Sequence, residues 1–268
     1  MTFYKAFIGF LLLIIPVSLV HAEGRRAKNG TQKIERSLAV DPSVVMSMCV
    51  NSGGIVVRGW NKNEILARSA EVGHIELKRG METNAQGLPS KVVVWLSDKN
   101  DGAEPGKNGC QAFGDVELMV PRGASIYLQT GDGAIDVADV ASVYARSETG
   151  EVLIKKASRS VEAVSFSGAV TVENSTGRMS LKSVGGSITA SNLRPNDGND
   201  CFEASTISGE IDLEDVAHQQ LSVKTTNGSV DVSGPLAEHG QYTFNTTTSD
   251  ITLSMPTNAS FRLSARIA

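Results

Sequence analysis

The chain has 268 residues, of which 20% are charged, 41% are hydrophobic and only 5% are aromatic, and it contains 26 glycines. This composition excludes a disordered chain, a coiled coil and a collagen. The balance of 25 basic against 29 acidic residues gives a net charge of -4, which offers no basic surface for nucleic acid. The length allows one large or two small domains with a substantial core.

Residues 1–22 have the pattern of a secretory signal peptide. Lys5 precedes an apolar run from Ala6 to Val20, and Ala22 ends a segment suited to cleavage. The run is about fifteen residues long, shorter than the roughly 20 that a membrane-spanning helix needs. We therefore expect export to the periplasm or the cell surface, with the membrane contacted only through the cleaved peptide. A retained N-terminal anchor is the alternative.

A basic leader follows, and then a single domain. The segment 23–39 contains five basic residues and is predicted to be a linker: Arg25, Arg26, Lys28, Lys33 and Arg36. Residues 40–268 are predicted to form one repeat domain. Two stretches, 97–109 and 194–200, interrupt its repeats and are predicted to be loops; each leads into a cysteine, Cys110 and Cys201.

One short phrase recurs along the domain about every twenty residues. It consists of a turn with glycine, serine or aspartate, followed by a strand with alternating apolar residues. The aligned turn residues are Gly133, Gly150, Gly168, Gly186, Gly209, Gly228 and Ser249, and earlier copies centre on Gly54, Gly73 and Gly114. Internal repetition of this kind indicates a solenoid, because one unit cannot bury its apolar face alone.

Each copy contains two strands. Alternating apolar pairs such as Ile135 and Val137 indicate a half-buried strand, and a second pair, here Ile126 and Leu128, lies nine residues earlier. Stacking such units about 4.8 Å apart would bury a continuous inner column. The sequence therefore predicts an all-β, single-domain parallel β-solenoid of about ten short rungs, with a β-sandwich as the alternative. No convincing helix is predicted in the mature chain.

The repeated phrase resembles that of the DUF4097 family, a group of bacterial candidate adhesins that are exported or associated with the envelope. The segments that resemble the family are GGIVVRGW at 53, the series from TGDGAIDV at 130 to TTSDITL at 247, and SMPTNASFRLSA at 254. The resemblance covers roughly residues 40–266. It implies a β-strand repeat with a binding or scaffold role at the envelope, and for some relatives a link to envelope-stress sensing. It brings no catalytic residues with it.

Three cysteines remain after export: Cys49, Cys110 and Cys201. An odd number leaves at least one free thiol or an intermolecular link. No CxxC pair is present, so a thiol redox motif and a zinc knuckle both lack their spacing. We favour a Cys49–Cys110 disulfide.

Catalytic signals are weak. His74, His218 and His239 form no HxH or HxxxH motif and are expected in exposed turns or loops. Acidic residues recur beside the turns: Asp115, Asp132, Glu151, Glu210 and Asp250. A pair of them could hydrolyse glycosides, but turn capping is the simpler interpretation. We expect no catalytic residues, no cofactor and no metal site.

The sequence thus predicts a non-enzymatic, adhesin-like binding or structural module of the bacterial cell envelope. Its partner would be an envelope polysaccharide or protein and not nucleic acid. An envelope-stress sensing domain is one alternative, and a carbohydrate-active enzyme on a β-helix scaffold is another. The second is disfavoured by the small number of aromatic residues, two Trp and four Tyr, available for sugar stacking.

Overall fold

The computed structural model describes residues 33–97, 110 and 113–266. By compactness the chain divides into residues 1–30 and residues 31–268. The first unit, which contains the predicted signal peptide 1–22, lies outside the described residues. Everything described below belongs to the second unit.

The described residues form strands and turns without a helix, as predicted. Their 21 strands are β1 (Ile34–Ala39), β2 (Val45–Ser52), β3 (Ile55–Trp60), β4 (Glu64–Ser69), β5 (His74–Arg79), β6 (Lys91–Ser97), β7 (Val116–Pro121), β8 (Ser125–Asp132), β9 (Ile135–Ala138), β10 (Ser142–Ser147), β11 (Val152–Lys155), β12 (Ser160–Ser165), β13 (Val170–Glu173), β14 (Arg178–Ser183), β15 (Ile188–Leu193), β16 (Cys201–Ser205), β17 (Ile211–Val216), β18 (Gln220–Lys224), β19 (Val230–Ser233), β20 (Gln241–Asn245) and β21 (Ile251–Ser254).

The strands form two sheets, of eleven and ten strands. In each repeat from β8 onward, the first strand joins the ten-stranded sheet and the second joins the eleven-stranded sheet. Every strand there pairs in parallel with its equivalent one repeat earlier, as β10 does with β8 and β11 with β9. The fold is therefore the predicted β-solenoid, and its sheets of ten and eleven strands agree with about ten rungs.

The N-terminal end departs from this simple stacking. β1 pairs antiparallel with β4, β4 pairs antiparallel with β7, and β5 pairs antiparallel with β6. The rung made by β6 and β7 lies against β2 and β3, although β4 and β5 come between them in the chain. The predicted copies at Gly54, Gly73 and Gly114 are therefore not successive rungs. Gly73 precedes the antiparallel strand β5, and Gly114 lies beside Gly53 instead of Gly54.

The boundary of the predicted leader, 23–39, is corrected by β1. All six residues of β1 pair with β4, from Ile34 opposite Ser69 to Ala39 opposite Glu64. Leu38 is buried in the core as well. Because the strand gains both backbone hydrogen bonds and apolar burial, residues 34–39 belong to the domain. Residues 23–32 lie outside the described residues.

The core is a column of alternating apolar side chains between the two sheets. The pairs predicted to point inward, such as Ile135 with Val137 and Val152 with Ile154, are fully buried. Valine, isoleucine, leucine and alanine predominate in the core, and Phe202 is the bulkiest of the fully buried side chains. Short strands with two inward residues each leave little room for larger rings.

Glycines line one corner of the solenoid, where the chain passes from one sheet to the other. The stacked set is Gly114, Gly53, Gly133, Gly150, Gly168, Gly186, Gly209 and Gly228. In each member from Gly53 onward, an added Cβ would lie within 3.0 Å of the backbone of the preceding member. Close backbone stacking, and not only turn flexibility, therefore explains why glycine recurs.

Hydroxyl side chains accompany the seven turns from Gly133 to Ser249, three residues before each turn residue, and six of the seven are buried. Ser165 shows the pattern: its hydroxyl donates to the carbonyl of Gly150 at 3.1 Å and accepts from the N–H of Gly168 at 2.9 Å. The equivalent residues are Thr130, Ser147, Ser183, Thr206, Thr225 and Thr246, and each hydroxyl donates to the glycine carbonyl of the rung before. These bonds satisfy backbone groups that the corner would otherwise bury without partners. Ser or Thr at this spacing is visible in the repeats, so the column could have been predicted from the sequence.

Candidate functional site

Two columns of side chains cover the outer face of the ten-stranded sheet between β8 and β14. Side chains alternate along each strand, so every second residue points away from the core. Parallel pairing in register then stacks equivalent residues of β8, β10, β12 and β14. One column is Ser125, Ser142, Ser160 and Arg178, and the other is Tyr127, Tyr144, Glu162 and Ser180.

A groove of about 230 Å³ runs along these columns, and we call it the tyrosine groove. The ring centroids of Tyr127 and Tyr144 are 5.7 Å apart, with the rings tilted by 31°. Tyr127 is 49% exposed. Since the groove crosses four strands spaced about 4.8 Å apart, it extends for roughly 14 Å along the solenoid. Its shape suits a section of an extended polymer better than a small enclosed ligand.

The tyrosine hydroxyls and the charged groups of the tyrosine groove make no polar contact with other described residues. Within residues 33–97, 110 and 113–266, the hydroxyls of Tyr127 and Tyr144, the carboxylate of Glu162 and the guanidinium of Arg178 have no side-chain hydrogen bond or ion pair. One contact among the groove's side chains is a hydrogen bond from the hydroxyl of Ser160 to that of Ser142, at 3.0 Å. The groove therefore presents two aromatic rings, an anion and a cation to solvent, all free to bind a ligand.

The outer face of the eleven-stranded sheet differs because many of its charges pair with one another. Arg58 binds the carboxylate of Asp136 with both terminal nitrogens. Lys155 lies 2.9 Å from Glu173, and other pairs join Lys33 to Glu117 and Arg68 to Glu35. Asp212, Glu214 and Asp231 are without an ion pair among the described residues. In the tyrosine groove, by contrast, a cation, an anion and two aromatic hydroxyl groups all lack a polar partner among the described residues.

A larger cleft, of about 400 Å³, lies where β4 leaves the regular stacking. Its charged groups are engaged within the fold. Lys33 and Glu117 form an ion pair of 3.1 Å, and Asp115 accepts the N–H of Gly54 at 2.7 Å. Its lining thus holds the N-terminal strands together, so the tyrosine groove is the better candidate for ligand binding.

The two tryptophans are less available than the tyrosines. The indole N–H of Trp60 donates to the carbonyl of Glu64 at 2.8 Å, and Lys62 lies over the same ring at 4.6 Å. Lys78 lies 5.4 Å from the centre of the Trp95 ring. The two residues belong to different sheets, so they form no shared aromatic surface.

The acidic residues singled out from the sequence lie at exposed turns. Asp132 accepts the hydroxyl of Thr149 at 2.9 Å, and Asp115 accepts the N–H of Gly54. Glu151, Glu210 and Asp250 are exposed, and within the described chain their side chains have no hydrogen-bond partner. Two of the five therefore cap turns, as the simpler interpretation of the sequence states.

Two of the three histidines contradict the expectation of an exposed turn residue: His74 is half-buried at the start of β5, whereas His239 does lie in an exposed turn. His218 is fully buried, and its Nε2 lies 2.7 Å from the carbonyl oxygen of Gly177. Burial lowers the pKa of His218 below 6.5, although the hydrogen bond to Gly177 and nearby Asp200 oppose that change. Its Nδ1 has no partner among the described residues. His218 packs beside Phe202, so a structural role accounts for it.

The structure joins Cys49 to Cys110, the pair favoured from the sequence, with their Cα atoms 5.1 Å apart. Cys201 is free and half-buried at the start of β16. The described residues contain no cluster of three or more His, Cys, Asp or Glu side chains placed to hold a metal ion. Within the same residues, no helix is long and apolar enough to span a membrane.

Tyr127 and Tyr144 are not among the site residues predicted from the sequence. A signal for them was available, because both are flanked by the two inward apolar residues of a first strand, Ile126 with Leu128 and Val143 with Ala145. Residues at equivalent positions of consecutive solenoid rungs become neighbours. The tyrosine pair could therefore have been found by aligning the repeats.

The fold and the groove together define a two-sheet β-solenoid with an open groove on one outer face. The chain belongs to the Toastrack DUF4097 family, whose family model matches residues 90–268, about two thirds of the chain. No curated protein matches the sequence.

Three solved bacterial structures are similar in fold. A candidate adhesin from Parabacteroides merdae has 10% sequence identity and a TM-score of 0.48, with 85% of this chain and 95% of that chain covered. A candidate adhesin from Bacteroides fragilis has 15% identity and a TM-score of 0.47, with 84% and 97% covered. A candidate cell adhesion protein from Clostridium sporogenes has 9% identity and a TM-score of 0.36, with 84% and 100% covered. Family membership depends on the family model and not on these structures.

Proposed function

We propose that this protein is an exported, non-enzymatic binding module of the bacterial cell envelope, adhesin-like, whose partner is an envelope polysaccharide or protein. The observation that most supports this function is the tyrosine groove, where Tyr127, Tyr144, Glu162 and Arg178 present unpaired groups on a regular sheet. The groove is open and lies on strands that parallel pairing holds in register. Such a surface is suited to binding an extended partner without closing around it.

The chemistry of the described residues favours binding over catalysis. The acidic residues noted from the sequence lie at turns, where Asp115 and Asp132 accept hydrogen bonds from the fold itself. His218 is buried against Phe202 and has no nucleophile among its described partners. No observation favours the hydrolase or the stress-sensing alternative. The predicted signal peptide, residues 1–22, supports export, and family membership supports a repeat scaffold.

A binding screen with envelope extract tests this function. The purified protein is immobilised and exposed to envelope extract that is untreated, periodate-oxidised or protease-treated. We expect saturable retention of one component, lost after periodate if the partner is a polysaccharide and lost after protease if it is a protein. Absence of saturable binding would refute the proposal. Release of new reducing ends from any retained polysaccharide would instead show an enzyme.

A further inference from the structure

We propose that the tyrosine groove binds a glycan with anionic substituents, with the glycan chain lying along the solenoid axis. This inference rests on the proposed binding function and specifies its ligand class and its site. The aromatic rings, the charges and the direction of the groove each favour such a ligand.

The rings favour a sugar. Tyr127 and Tyr144 lie on consecutive rungs with their centroids 5.7 Å apart, and Tyr127 is half-exposed. An aromatic ring offers a flat apolar face with a polar tip, which suits a ligand that has both apolar and hydroxyl-bearing faces. Sugar rings have that character. The hydroxyls of Ser142 and Ser160 run beside the tyrosines and can exchange hydrogen bonds with sugar hydroxyls.

The charges favour an anion. Arg178 lies in the groove, and Arg146 and Lys182 lie on the other side of the tyrosine column. None of these three cations has an ion pair among the residues described, and Glu162 is the one carboxylate lining the groove. Arg178 and Glu162 balance each other in the lining, and Arg146 and Lys182 beside it outnumber Glu203 on the next rung, so the surface around the tyrosines is positive in a chain whose net charge is -4. Guanidinium groups bind carboxylate and phosphate through paired hydrogen bonds. Glu162 remains available to accept hydrogen bonds from sugar hydroxyls.

The direction of the groove favours a polymer. The two columns run across the strands, along the stacking direction, and cross four rungs without an inserted loop. Equivalent contacts therefore repeat at each rung, about every 4.8 Å. A chain of linked sugars can lie along such a surface and use several rungs at once, whereas a single sugar uses one or two.

The test compares polymers that carry both sugar rings and negative charges with polymers that carry only one of the two. Alginate supplies carboxylates on sugars, phosphomannan supplies phosphates on sugars, dextran supplies neutral sugars, and poly-L-glutamate supplies carboxylates without sugars. Binding of each to the purified protein is measured by calorimetry at two salt concentrations. We expect alginate or phosphomannan to bind more tightly than dextran and poly-L-glutamate, and to bind more weakly at high salt.

Variants locate the site. Tyr127→Ser and Tyr144→Ser place in the column a residue that other rungs already have there, such as Ser180. Each should weaken anionic-glycan binding about tenfold, as loss of an aromatic anchor does at other interfaces. Arg178→Gln should weaken binding about fivefold and reduce its salt dependence. Glu214→Ser and Lys155→Gln, on the outer face of the eleven-stranded sheet, are the matched controls and should bind normally.

The outcomes separate this inference from the proposed function. Equal binding of poly-L-glutamate and alginate would overturn the role of the rings, and equal binding of dextran would overturn the role of the charges. Unchanged affinity in both tyrosine variants would overturn the site. If the protein retains an envelope component but binds none of the four polymers, the ligand class is wrong while the binding function stands. If it retains nothing from the extract either, both fail.

Discussion

Substitution of Gly186 by alanine tests the glycine column directly. A Cβ at this position would lie 2.5 Å from the carbonyl carbon of Gly168 and 2.9 Å from the nitrogen of Ala169. Both atoms belong to the backbone of the neighbouring rung, so no side chain can rotate away. The rungs must separate locally, which also strains the hydrogen bond from the Gly186 N–H to the Ser183 hydroxyl, now 2.9 Å long.

We expect Gly186→Ala to lower the free energy of unfolding by about 3 kcal/mol, the upper part of the range for overpacking a close-packed site. The adjacent Gly185 provides a matched control. Its added Cβ would meet its nearest atom, the carbonyl oxygen of Phe166, at 3.7 Å, which is ordinary contact. Neither residue has the positive φ that only glycine adopts readily, so sterics alone distinguish them.

Urea denaturation followed by circular dichroism measures both variants. Gly185→Ala should stay within about 0.5 kcal/mol of the unmodified protein, since alanine also reduces the entropy of the unfolded chain. A loss of less than about 1 kcal/mol in Gly186→Ala would be smaller than overpacking costs. That result would refute the claim that close stacking requires glycine at this corner.

Two further predictions concern buried polar groups. Ser165→Ala should lower the free energy of unfolding by about 2 kcal/mol in the same assay, because it leaves the Gly150 carbonyl and the Gly168 N–H without their partner. For His218, burial lowers the folded-state pKa below the ordinary value of 6.5. The unfolded chain therefore takes up a proton first as the pH falls, and the stability contributed by neutral His218 decreases below about pH 6.5.

Conservative variants serve as controls for both. Ser165→Thr retains the hydroxyl, which other rungs supply from threonine, and should behave nearly as the unmodified protein; equal losses in both variants would exclude the hydroxyl as the cause. His218→Gln can still donate to the Gly177 carbonyl but does not titrate. Its unfolding free energy should fall less between pH 7 and pH 5, and parallel pH profiles would contradict a buried, neutral His218.

Much of the regular part of the fold could be predicted from local patterns. Strand pairs such as Ile135 with Val137 repeat their apolar alternation, and the inward residues are buried as expected. The turn residues from Gly133 to Gly228 do stack. These features depend on neighbouring residues in the chain and on one repeat interval, which the sequence displays directly. The loop at 194–200 also follows from the interrupted interval, whereas residues 98–109 of the other predicted loop, 97–109, lie outside the described residues.

The candidate site could be predicted only in part. The acidic residues at the turns attracted attention because they recur, yet Asp115 and Asp132 serve the turns. In the sequence, Tyr127 and Tyr144 are only two of a few aromatic residues. They form part of a candidate site because strand pairing places them side by side. His218 was expected in an exposed loop, but packing against Phe202 buries it. Each of these outcomes depends on neighbours that are distant in sequence.

High glycine content with few aromatic residues is a property of the sequence by itself, and it already indicates short strands, tight corners and a narrow core. The order of the N-terminal rungs was decided only in the tertiary structure. In the folded chain, β6 and β7 pair with β2 and β3. The strands β4 and β5 come earlier in the sequence but pair on the outer side of β7 and β6. The physical reason is that periodicity specifies what each strand buries, whereas the choice of partner depends on which unpaired edge offers hydrogen bonds and apolar contact. The tyrosine groove arises in the same way, from residues that only strand pairing makes neighbours.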